Sequence, residues 1–350
     1  MTIQDLFKVG IENKVSDIHL ISGYFPSIRI NGELKHLTSY PLVDAKTAED
    51  LMLSILNTEQ KKNLELNREI DLGINFENHR FRVNLYYSQS GLSGSFRLIP
   101  DRIMTLSELN LPEVLSGLTT LKQGFVLVTG PTGEGKSTTL ASLIDRINQT
   151  TARHILTIED PIEYIYPKAK SIISQRELGT DTHRWDISLR SALREDPDVV
   201  LVGEMRDLET ITAALTIAET GHLVFSTVHT NSASQTIDRI IDVFPAHQHE
   251  QVKIQLSSTL KAIISQRLVP NIDLNGRYPA CEILMNTPAV ASIIREGKTH
   301  LIDNVIQTSS GNNMTLLENH LADLYKQGKI SKQAALAYAI RPNEIKRLIE

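Results

Sequence analysis

The sequence predicts an α/β protein in two parts: a small α+β domain, and a larger domain built on a mostly parallel sheet. Three observations support this prediction. From about Thr119 onward, short apolar runs alternate with helical patterns. A glycine-rich phosphate-binding motif lies between one such run and a helical pattern. The first hundred residues instead alternate apolar and polar side chains, as the strands of an antiparallel sheet do.

The composition is that of a globular protein, with 41% apolar residues and no apolar run near the ~20 residues of a membrane span. The N-terminus lacks the apolar core and cleavage site of a secretory signal. The one cysteine, Cys281, excludes an internal disulfide and a multi-cysteine zinc site. The net charge of −5, with acids and bases interspersed, argues against a nucleic-acid partner. We therefore expect a soluble cytoplasmic protein with no integral membrane segment and no direct nucleic acid.

The first domain is predicted over residues 1–100. A helix begins behind Thr2, because apolar residues recur at helical spacing over 3–11. A strand around Ile18 and a hairpin with Asn31-Gly32 at its turn follow. A second helix begins near Asp44, and three more strands cover 70–76, 80–88 and 95–99. Residues 101–118 are predicted as a linker.

Two arginines stand out in these strands. Period-two alternation places Arg82 and Arg97 on the face away from the core. The pattern alone favours two solvated arginines. The alternative is that they reach a phosphate held elsewhere.

The second domain, over residues 119–350, begins with the phosphate-binding motif. Residues 130–137 read GPTGEGKS and match G-x-x-x-x-G-K-[ST] between the strand 125–129 and a helix. In such a P-loop, backbone N–H groups surround phosphate oxygens at the positive end of the helix. Lys136 adds a charge for the β- and γ-phosphates, and the Ser137 hydroxyl suits Mg²⁺. The predicted nucleotide contacts are Gly130, Pro131, Thr132, Gly133, Glu134, Gly135, Lys136, Ser137 and Thr138.

Acidic residues follow two later strands. The strand 155–158, which we expect beside the P-loop strand, ends at Glu159 and Asp160, with Glu163 just beyond. Carboxylates there hold Mg²⁺ or orient an attacking water, unless they form only an acidic surface turn. The apolar run 199–202 leads through Gly203 to Glu204, as in a Walker B strand whose acid reaches Mg²⁺.

Histidines and arginines complete the candidate set. His222 and His229 bracket the strand 223–227 and point to opposite faces, so one is a candidate γ-phosphate sensor and the other a candidate interface contact. A structural role for either histidine is equally open, and Thr227 and Thr230 are further candidate sensors. Arg194 and Arg206 are each either a structural partner or a nucleotide contact. Asp207 is predicted to cap the next helix.

Four segments, in this order and spacing, resemble the secretion and pilus motor ATPases: GPTGEGKS, TIEDPIEY, ALREDPDVVLVGEMRD and TGHLVFSTVHTNSA. In that family they are the Walker A, Asp box, Walker B and His box. The resemblance extends through SDIHL, RFRVN, SFRLIP, AETGHL and DVFP, so it covers nearly the whole chain. Within the family, the short N-terminal region and the single cysteine are similar to the type IV pilus retraction motors rather than the extension motors.

The resemblance implies an N-terminal PAS-like domain, a RecA-like P-loop ATPase domain with a C-terminal helical region, and a hexameric ring. It implies an ATP-hydrolysing motor for pilus retraction and twitching motility, with ATP or ADP and Mg²⁺ between the two domains. It also implies a partner protein in the inner-membrane pilus platform, and hence a peripheral location at that membrane. By the same resemblance Arg82 and Arg97 contact phosphates, Glu163 orients water, Glu204 lies near Mg²⁺, and His222 and His229 are the His-box histidines.

Alternatives remain open at this stage. They are a related secretion or conjugation ATPase, a hydrolytically weak accessory retraction ATPase, and a DNA-dependent RecA-like motor, which the acidic balance opposes. Two segments depart from the family. Residues 289–296 read AVASIIRE, similar to the AIRNLIRE motif of retraction ATPases only at its end. Glu134 replaces the usual Ser, so we expect weaker nucleotide affinity than in Glu134→Ser.

Overall fold

The computed structural model describes every residue except Asn31, Asp101, Asn275, Ser310 and Asn312. The chain forms two compact units. The small unit comprises Met1–Arg102 and Asp160–Ile165, and the large unit comprises Ile103–Glu159 and Tyr166–Glu350. The segment that carries Glu163 is therefore part of the small unit, although it follows directly on a strand of the large unit.

Over its described residues, the small unit is an antiparallel sheet with three helices. Its elements are α1 (Ile3–Glu12), β1 (Asp17–Leu20), β2 (Ser27–Ile30), β3 (Glu33–His36), α2 (Ala45–Leu53), α3 (Thr58–Asn67), β4 (Glu69–Phe76), β5 (His79–Ser88) and β6 (Gly91–Leu98). The strand order is β3-β2-β1-β6-β5-β4. The predicted antiparallel sheet and both predicted helices are confirmed. The β2–β3 hairpin is also formed, with Gly32 at φ +86°, but the predicted turn residue Asn31 lies outside the described residues.

Side-chain caps explain where these helices begin. Thr2 and Asp5 form a capping box at the start of α1, and Asp44 caps α2. Helix α3 was not predicted, because Leu64 is its one buried residue and leaves no apolar stripe. Its first turn is instead fixed by a capping box between Asn57 and Gln60.

The two faces of the small sheet differ in character. One face is apolar and packs against the helices, with the Phe7 ring stacked on Phe81 at a centroid distance of 4.2 Å. On the other face, Arg82 lies opposite Arg97, Arg97 opposite Asp17, and Asp17 opposite Arg29. Because directly opposed residues share a face, charged side chains form a row across four neighbouring strands.

The large unit contains a seven-stranded sheet. Its elements are α4 (Leu115–Leu118), β7 (Gly124–Thr129), α5 (Lys136–Thr150), β8 (His154–Glu159), β9 (Ile172–Glu177), α6 (Trp185–Ala192), β10 (Val199–Val202), α7 (Leu208–Glu219), β11 (Leu223–Val228), α8 (Ala233–Asp242), α9 (His249–Thr259), β12 (Leu260–Pro270), β13 (Arg277–Met285), α10 (Pro288–Arg295), α11 (Ile302–Thr308), α12 (Leu317–Lys326), α13 (Lys332–Tyr338) and α14 (Pro342–Ile349). Short 3₁₀ turns precede α9 and α11. Among the residues that the structure describes, all strand pairs of this sheet are parallel except β12–β13.

The strand order is β13-β12-β7-β11-β10-β8-β9. The expectation that β8 neighbours the P-loop strand β7 is therefore wrong, because β11 and β10 lie between them. Strands β7, β8, β10 and β11 are mostly apolar and, apart from the half-buried His154, are buried on both faces, so their sequences carry no signal for lateral order. Crossover connections let consecutive strands be separated in the sheet.

The C-terminal helices α12, α13 and α14 pack on β12 and β13 around an apolar cluster that includes Val269, Leu321 and Ile345. A buried ionic network adjoins it. Arg341 Nη1 donates to Glu282 at 3.2 Å and to Glu318 at 2.8 Å, and both glutamate side chains are 0% exposed. Arg341 Nη2 also donates to Asp303 at 2.6 Å.

Cys281 lies on β13 and is fully buried. Burial raises the pKa of its thiol to about 12, so the thiolate is negligible at neutral pH. Helix α10, which carries the AVASIIRE segment, buries Val290 and Ile294 and begins at a Thr287 cap. Of the helices in the described part of the chain, none is long and apolar enough to cross a membrane.

Candidate active site

Several predicted site residues lie together at the carboxyl ends of the parallel strands, along one edge of the large sheet. The P-loop follows β7, Glu159 ends β8, Glu204 comes two residues after β10, and His229 follows β11 directly. Because these strands are parallel, their carboxyl ends lie at the same edge. In open α/β sheets this edge is where ligands bind.

The P-loop conformation depends on its glycines. Gly130 has φ +146°, and a Cβ there would lie 2.5 Å from the Gln266 carbonyl oxygen, so any side chain at this position clashes with the backbone of β12. Lys136 begins α5, and its Nζ donates to the carbonyls of Gly130 and Pro131, both at 2.9 Å. The ammonium is thus held at the loop beside the N–H groups of the first helical turn, where anions bind.

Gln266 on β12 ties the loop to the sheet. Its Nε2 donates to the Glu134 carbonyl at 2.6 Å, and its Oε1 accepts from the Thr139 hydroxyl at 2.7 Å. Gln266 is 2% exposed, and the preceding Ser265 bonds Thr129 at 2.8 Å. We did not predict Gln266 as a site residue. The available signal was a polar pair, Ser265-Gln266, within an apolar strand, because buried polar groups require partners.

Glu134 points into this same junction. Its Oε2 accepts a hydrogen bond from the backbone N–H of Leu268 on β12. The carboxylate therefore has a specific partner in the protein. A serine side chain is shorter than that of glutamate, so we do not expect a serine at this position to make the same bond.

Two basic side chains contact the carboxylate of Glu204. His229 Nε2 lies 3.1 Å from Glu204 Oε1, and Arg206 Nη2 donates to Oε2 at 2.8 Å. Burial opposes ionisation of Glu204, but the Arg206 hydrogen bond and the charges of His229, Arg206 and Lys136 more than offset it and lower the pKa. Burial and the Lys136 charge lower the pKa of His229, against the opposing effect of Glu204.

Close backbone packing supports the neighbouring strand ends. Gly203 N–H donates to the Ile158 carbonyl at 2.9 Å, and a Cβ on Gly203 would lie 3.3 Å from the Glu159 Cα. Glu159 Oε1 accepts from the Thr157 hydroxyl at 2.7 Å, and Thr227 donates to the Gly203 carbonyl at 2.7 Å. Thr227 is thus a structural partner of the Walker-B-like turn.

Within the small unit, both predicted arginines have acidic partners. Arg82 donates to Asp71 at 2.7 Å and lies 3.7 Å from Glu163. Burial opposes the charge on Arg82, but Asp71, Glu163 and Asp160 more than offset it and raise its pKa. Arg97 Nε donates to the buried Asp17 at 2.9 Å. The structure therefore brings Glu163, Asp160 and Arg82 together within one unit.

His222 and Arg194 precede strands of the large sheet, so they lie toward the amino ends of these strands and away from the P-loop. His222 precedes β11, and its Nδ1 is 3.0 Å from the Ile217 carbonyl at the end of α7. The six-residue strand β11 is roughly 20 Å long, so His222 is about that far from His229 along the sheet. Arg194 is exposed between α6 and β10. The structure does not bring either residue to the P-loop of the same chain. Asp207 caps α7, as predicted.

The carboxyl ends of these strands offer oxygen atoms as candidate ligands for Mg²⁺. Among the residues that the structure describes, no group of three or more His, Cys, Asp and Glu is arranged to hold a metal ion. The ionised Glu204 and the Ser137 hydroxyl at the start of α5 are nevertheless suitable for Mg²⁺, which is commonly bound by one or two protein oxygens together with substrate phosphates.

Comparison with known proteins places these features in one family. A family profile described as "Type II/IV secretion system protein" matches residues 2–338. The chain belongs to this family. PilT of Pseudomonas aeruginosa, named a type IV pilus retraction ATPase, is 45% identical over 96% of this chain and 97% of its own length. PilU of the same organism, named a type IV pilus ATPase, is 39% identical over 100% of this chain and 92% of its own length.

A solved member of the type II/IV secretion family has nearly the same fold. The crystal structure of the pilus retraction motor PilT with bound ADP superposes with a TM-score of 0.92 at 44% identity, and covers 99% of both chains. The α/β architecture found here is therefore that of a known nucleotide-bound family member, and it is consistent with a RecA-like ATPase domain.

Proposed function

We propose that this protein is an ATP-hydrolysing motor that powers retraction of type IV pili. One observation carries the proposal: a complete P-loop lies at the same sheet edge as the ionised Glu204, in a chain that matches PilT over 96% of its length. The reaction is attack of water on the γ-phosphorus of ATP, which releases ADP and inorganic phosphate.

The large unit supplies the phosphate contacts in this proposal. Residues 130–138 surround the phosphates with backbone N–H groups, and the positive charge of Lys136 stabilises the β- and γ-phosphates. Ser137 and Glu204 hold Mg²⁺, with Glu159 and Asp160 as further candidate oxygen donors. A bound Mg²⁺ would supply positive charge to offset the charge that develops on the phosphates. Because the pKa of Glu204 is lowered, this carboxylate remains charged through the neutral pH range.

The small unit supplies the groups that act on the γ-phosphate. Glu163 orients the attacking water and accepts its proton. Arg82 and Arg97 stabilise negative charge in the transition state, and their bonds to Asp71 and Asp17 fix each guanidinium in direction beforehand. His229 is proposed to sense the γ-phosphate through Glu204. We propose His222 and Arg194 as contacts to a neighbouring subunit's nucleotide site, since they lie at the far edge of this chain's sheet.

We further propose that the N-terminal domain is PAS-like and that the chain works as a homohexamer on a platform protein at the inner membrane. This places it in the cytoplasm, peripheral to that membrane. The relative PilT supports the choice, because its name assigns it to pilus retraction.

The direct test is Mg²⁺-dependent ATP hydrolysis measured against protein concentration, together with native mass. We expect a six-subunit mass and a specific activity that rises as the ring assembles. A monomer that hydrolyses ATP at full rate would contradict the hexameric motor. Retraction itself is tested by restoring twitching to a strain that lacks its own retraction ATPase.

A second candidate is an accessory retraction ATPase like PilU, which matches this chain over its entire length. This reading predicts little turnover by the isolated chain and stimulation by a second, active retraction motor. Robust turnover by the chain alone would favour the first proposal.

Replacing Glu204 tests its proposed metal role. We expect Glu204→Gln to raise the Mg²⁺ concentration at half-maximal turnover by about tenfold, because one ionised oxygen donor is lost. Mg²⁺ titrations of ATP hydrolysis measure this shift. The exposed Glu209 on α7 offers the control Glu209→Gln, which should leave the titration unchanged. An unaltered midpoint in Glu204→Gln would remove this residue from the metal site.

Substitutions at Glu134 separate charge from loop anchoring. Glu134→Gln removes the negative charge but retains an oxygen that accepts from Leu268 N–H, so we expect ADP to bind several-fold more tightly. Glu134→Ser also removes the charge, and we expect it to bind more tightly than the original chain but less tightly than Glu134→Gln, since the anchor is lost. Calorimetric ADP titrations of the three proteins decide between these orders. Equal dissociation constants would show that Glu134 has no effect on the nucleotide.

A further inference from the structure

The small unit contains a cavity of about 840 Å³ on the polar face of its sheet. His19 lies opposite Ser27, and Ser27 lies opposite His36, so β1, β2 and β3 each contribute one of these side chains to the same face. Tyr86 and Ser93, opposed on β5 and β6, line it from the other side. Cavities of roughly 300–1,000 Å³ are the usual size for small-molecule sites.

Arg29 carries a permanent positive charge in this cavity, and Asp17, which lies opposite it on β1, bonds Arg97 and is not among the lining residues. Arg29, His19 and His36 line it, and none of its described lining residues is Asp or Glu. Arg29 Nη1 donates to the Gly32 carbonyl at 2.8 Å. A guanidinium has five N–H donors, so this bond leaves others for a ligand. The charge pattern therefore favours an anion.

Hydrogen-bonding groups are also available in the cavity. His19 Nε2 is buried and has no hydrogen-bond partner among the described residues. Buried polar atoms are nearly always satisfied, so an unsatisfied nitrogen in a cavity wall marks a place for a ligand group. The Ser88 hydroxyl lies 3.0 Å from those of both Ser90 and Ser93, which gives the wall a row of hydroxyl groups.

Aromatic surface completes the cavity. Tyr24, Phe25 and Tyr86 line it together with Leu34. Tyr24 is 60% exposed and Leu34 is 49% exposed, so large apolar side chains at the cavity remain accessible to solvent. Aromatic walls of this kind suit a planar ring, which packs by offset stacking or edge-to-face contact.

We propose that this cavity binds a small organic anion that carries a planar aromatic ring. Its carboxylate, sulfonate or phosphate group bonds Arg29, its ring lies against the aromatic side chains, and an O–H or N–H group on it donates to His19 Nε2. The site is built entirely from residues 19–93, and it is separate from the P-loop, which belongs to the large unit. The proposal does not depend on the ATPase function.

The probe for this site is 1-anilinonaphthalene-8-sulfonate, an aromatic anion whose fluorescence rises on binding. The full chain is titrated in the presence of saturating Mg²⁺ and ADP. We expect one saturable site per chain. Arg29→Gln should weaken binding about tenfold, because a charge-assisted hydrogen bond is lost. Ser88→Trp should abolish saturable binding by filling the cavity.

Lys35→Gln is the matched control. It removes one positive charge from the same β2–β3 hairpin, but Lys35 lies opposite Ile28 and so on the other face of the sheet. The Lys35→Gln variant should bind the probe as tightly as the unchanged chain does. Urea unfolding midpoints, measured for each variant, distinguish lost binding from lost folding. Equal weakening in Arg29→Gln and Lys35→Gln, or displacement of the probe by Mg²⁺ and ADP, would overturn the proposal.

Discussion

Glu163→Gln should reduce ATP turnover by about 10²- to 10⁴-fold, the usual contribution of a positioned general base. The amide occupies nearly the same volume, but it cannot accept the proton of the attacking water. It also cannot attract Arg82, whose guanidinium lies 3.7 Å from the Glu163 carboxylate. ADP and ATP affinity should change little, because neither effect acts on the P-loop. Steady-state hydrolysis and nucleotide titration together measure the two quantities.

The exposed Glu65 on α3 provides the control for this variant. Glu65→Gln removes one negative charge from the same unit and should retain full turnover. Native mass should be the same for both variants. Full turnover in Glu163→Gln would assign the water-orienting role to another acid, and Glu159 would be the next candidate to test.

Arg341→Met should lower the free energy of unfolding by about 3–5 kcal/mol, the range found when one partner of a buried ion pair is removed. Both Glu282 and Glu318 are 0% exposed, so the variant leaves two buried carboxylates without their guanidinium. Burial already raises the pKa of Glu282, against the opposing effects of Ala233 N–H and Arg341. Loss of Arg341 removes one of those opposing effects. Urea titration followed by circular dichroism measures the change.

Two further variants show that the effect comes from the network. Arg347 is exposed on α14, the helix that follows Arg341. Arg347→Met should lower the free energy of unfolding by less than about 0.5 kcal/mol. Adding Glu282→Gln and Glu318→Gln to Arg341→Met should recover part of the stability, because neutral amides cost less to bury than unpaired carboxylates. If Arg341→Met and Arg347→Met were equally stable, the network would contribute nothing measurable.

Local sequence patterns predicted much of the fold. Helices α1 and α2 have both apolar stripes and caps, and the strands near β4, β5, β7, β8, β10 and β11 have clear apolar periodicity. Lateral strand order was not predictable, since β8 and β10 are both buried on their two faces and mostly apolar. The antiparallel pair β12–β13 was also missed, although residues 271–276 join its two strands directly.

The candidate site divides in the same way. The P-loop, Glu204 and His229 could be placed at one edge, because each follows a strand of a parallel sheet. The bonds from Gln266 to Glu134 and Thr139 could not be predicted, since they join segments 127 and more residues apart. The acidic partners of Arg82 and Arg97 were missed for a related reason: Asp17 meets Arg97 only after β1 pairs with β6.

The burial of Cys281 has a practical consequence for measuring motion in this protein. A thiol that is fully buried, with its pKa raised to about 12, reacts very slowly with maleimides and nitroxide reagents at neutral pH. In the unaltered chain, Cys281 will therefore take up very little label. A single cysteine introduced at an exposed position in either unit will carry a fluorophore or spin label selectively, and two such positions will report the distance between the units during turnover.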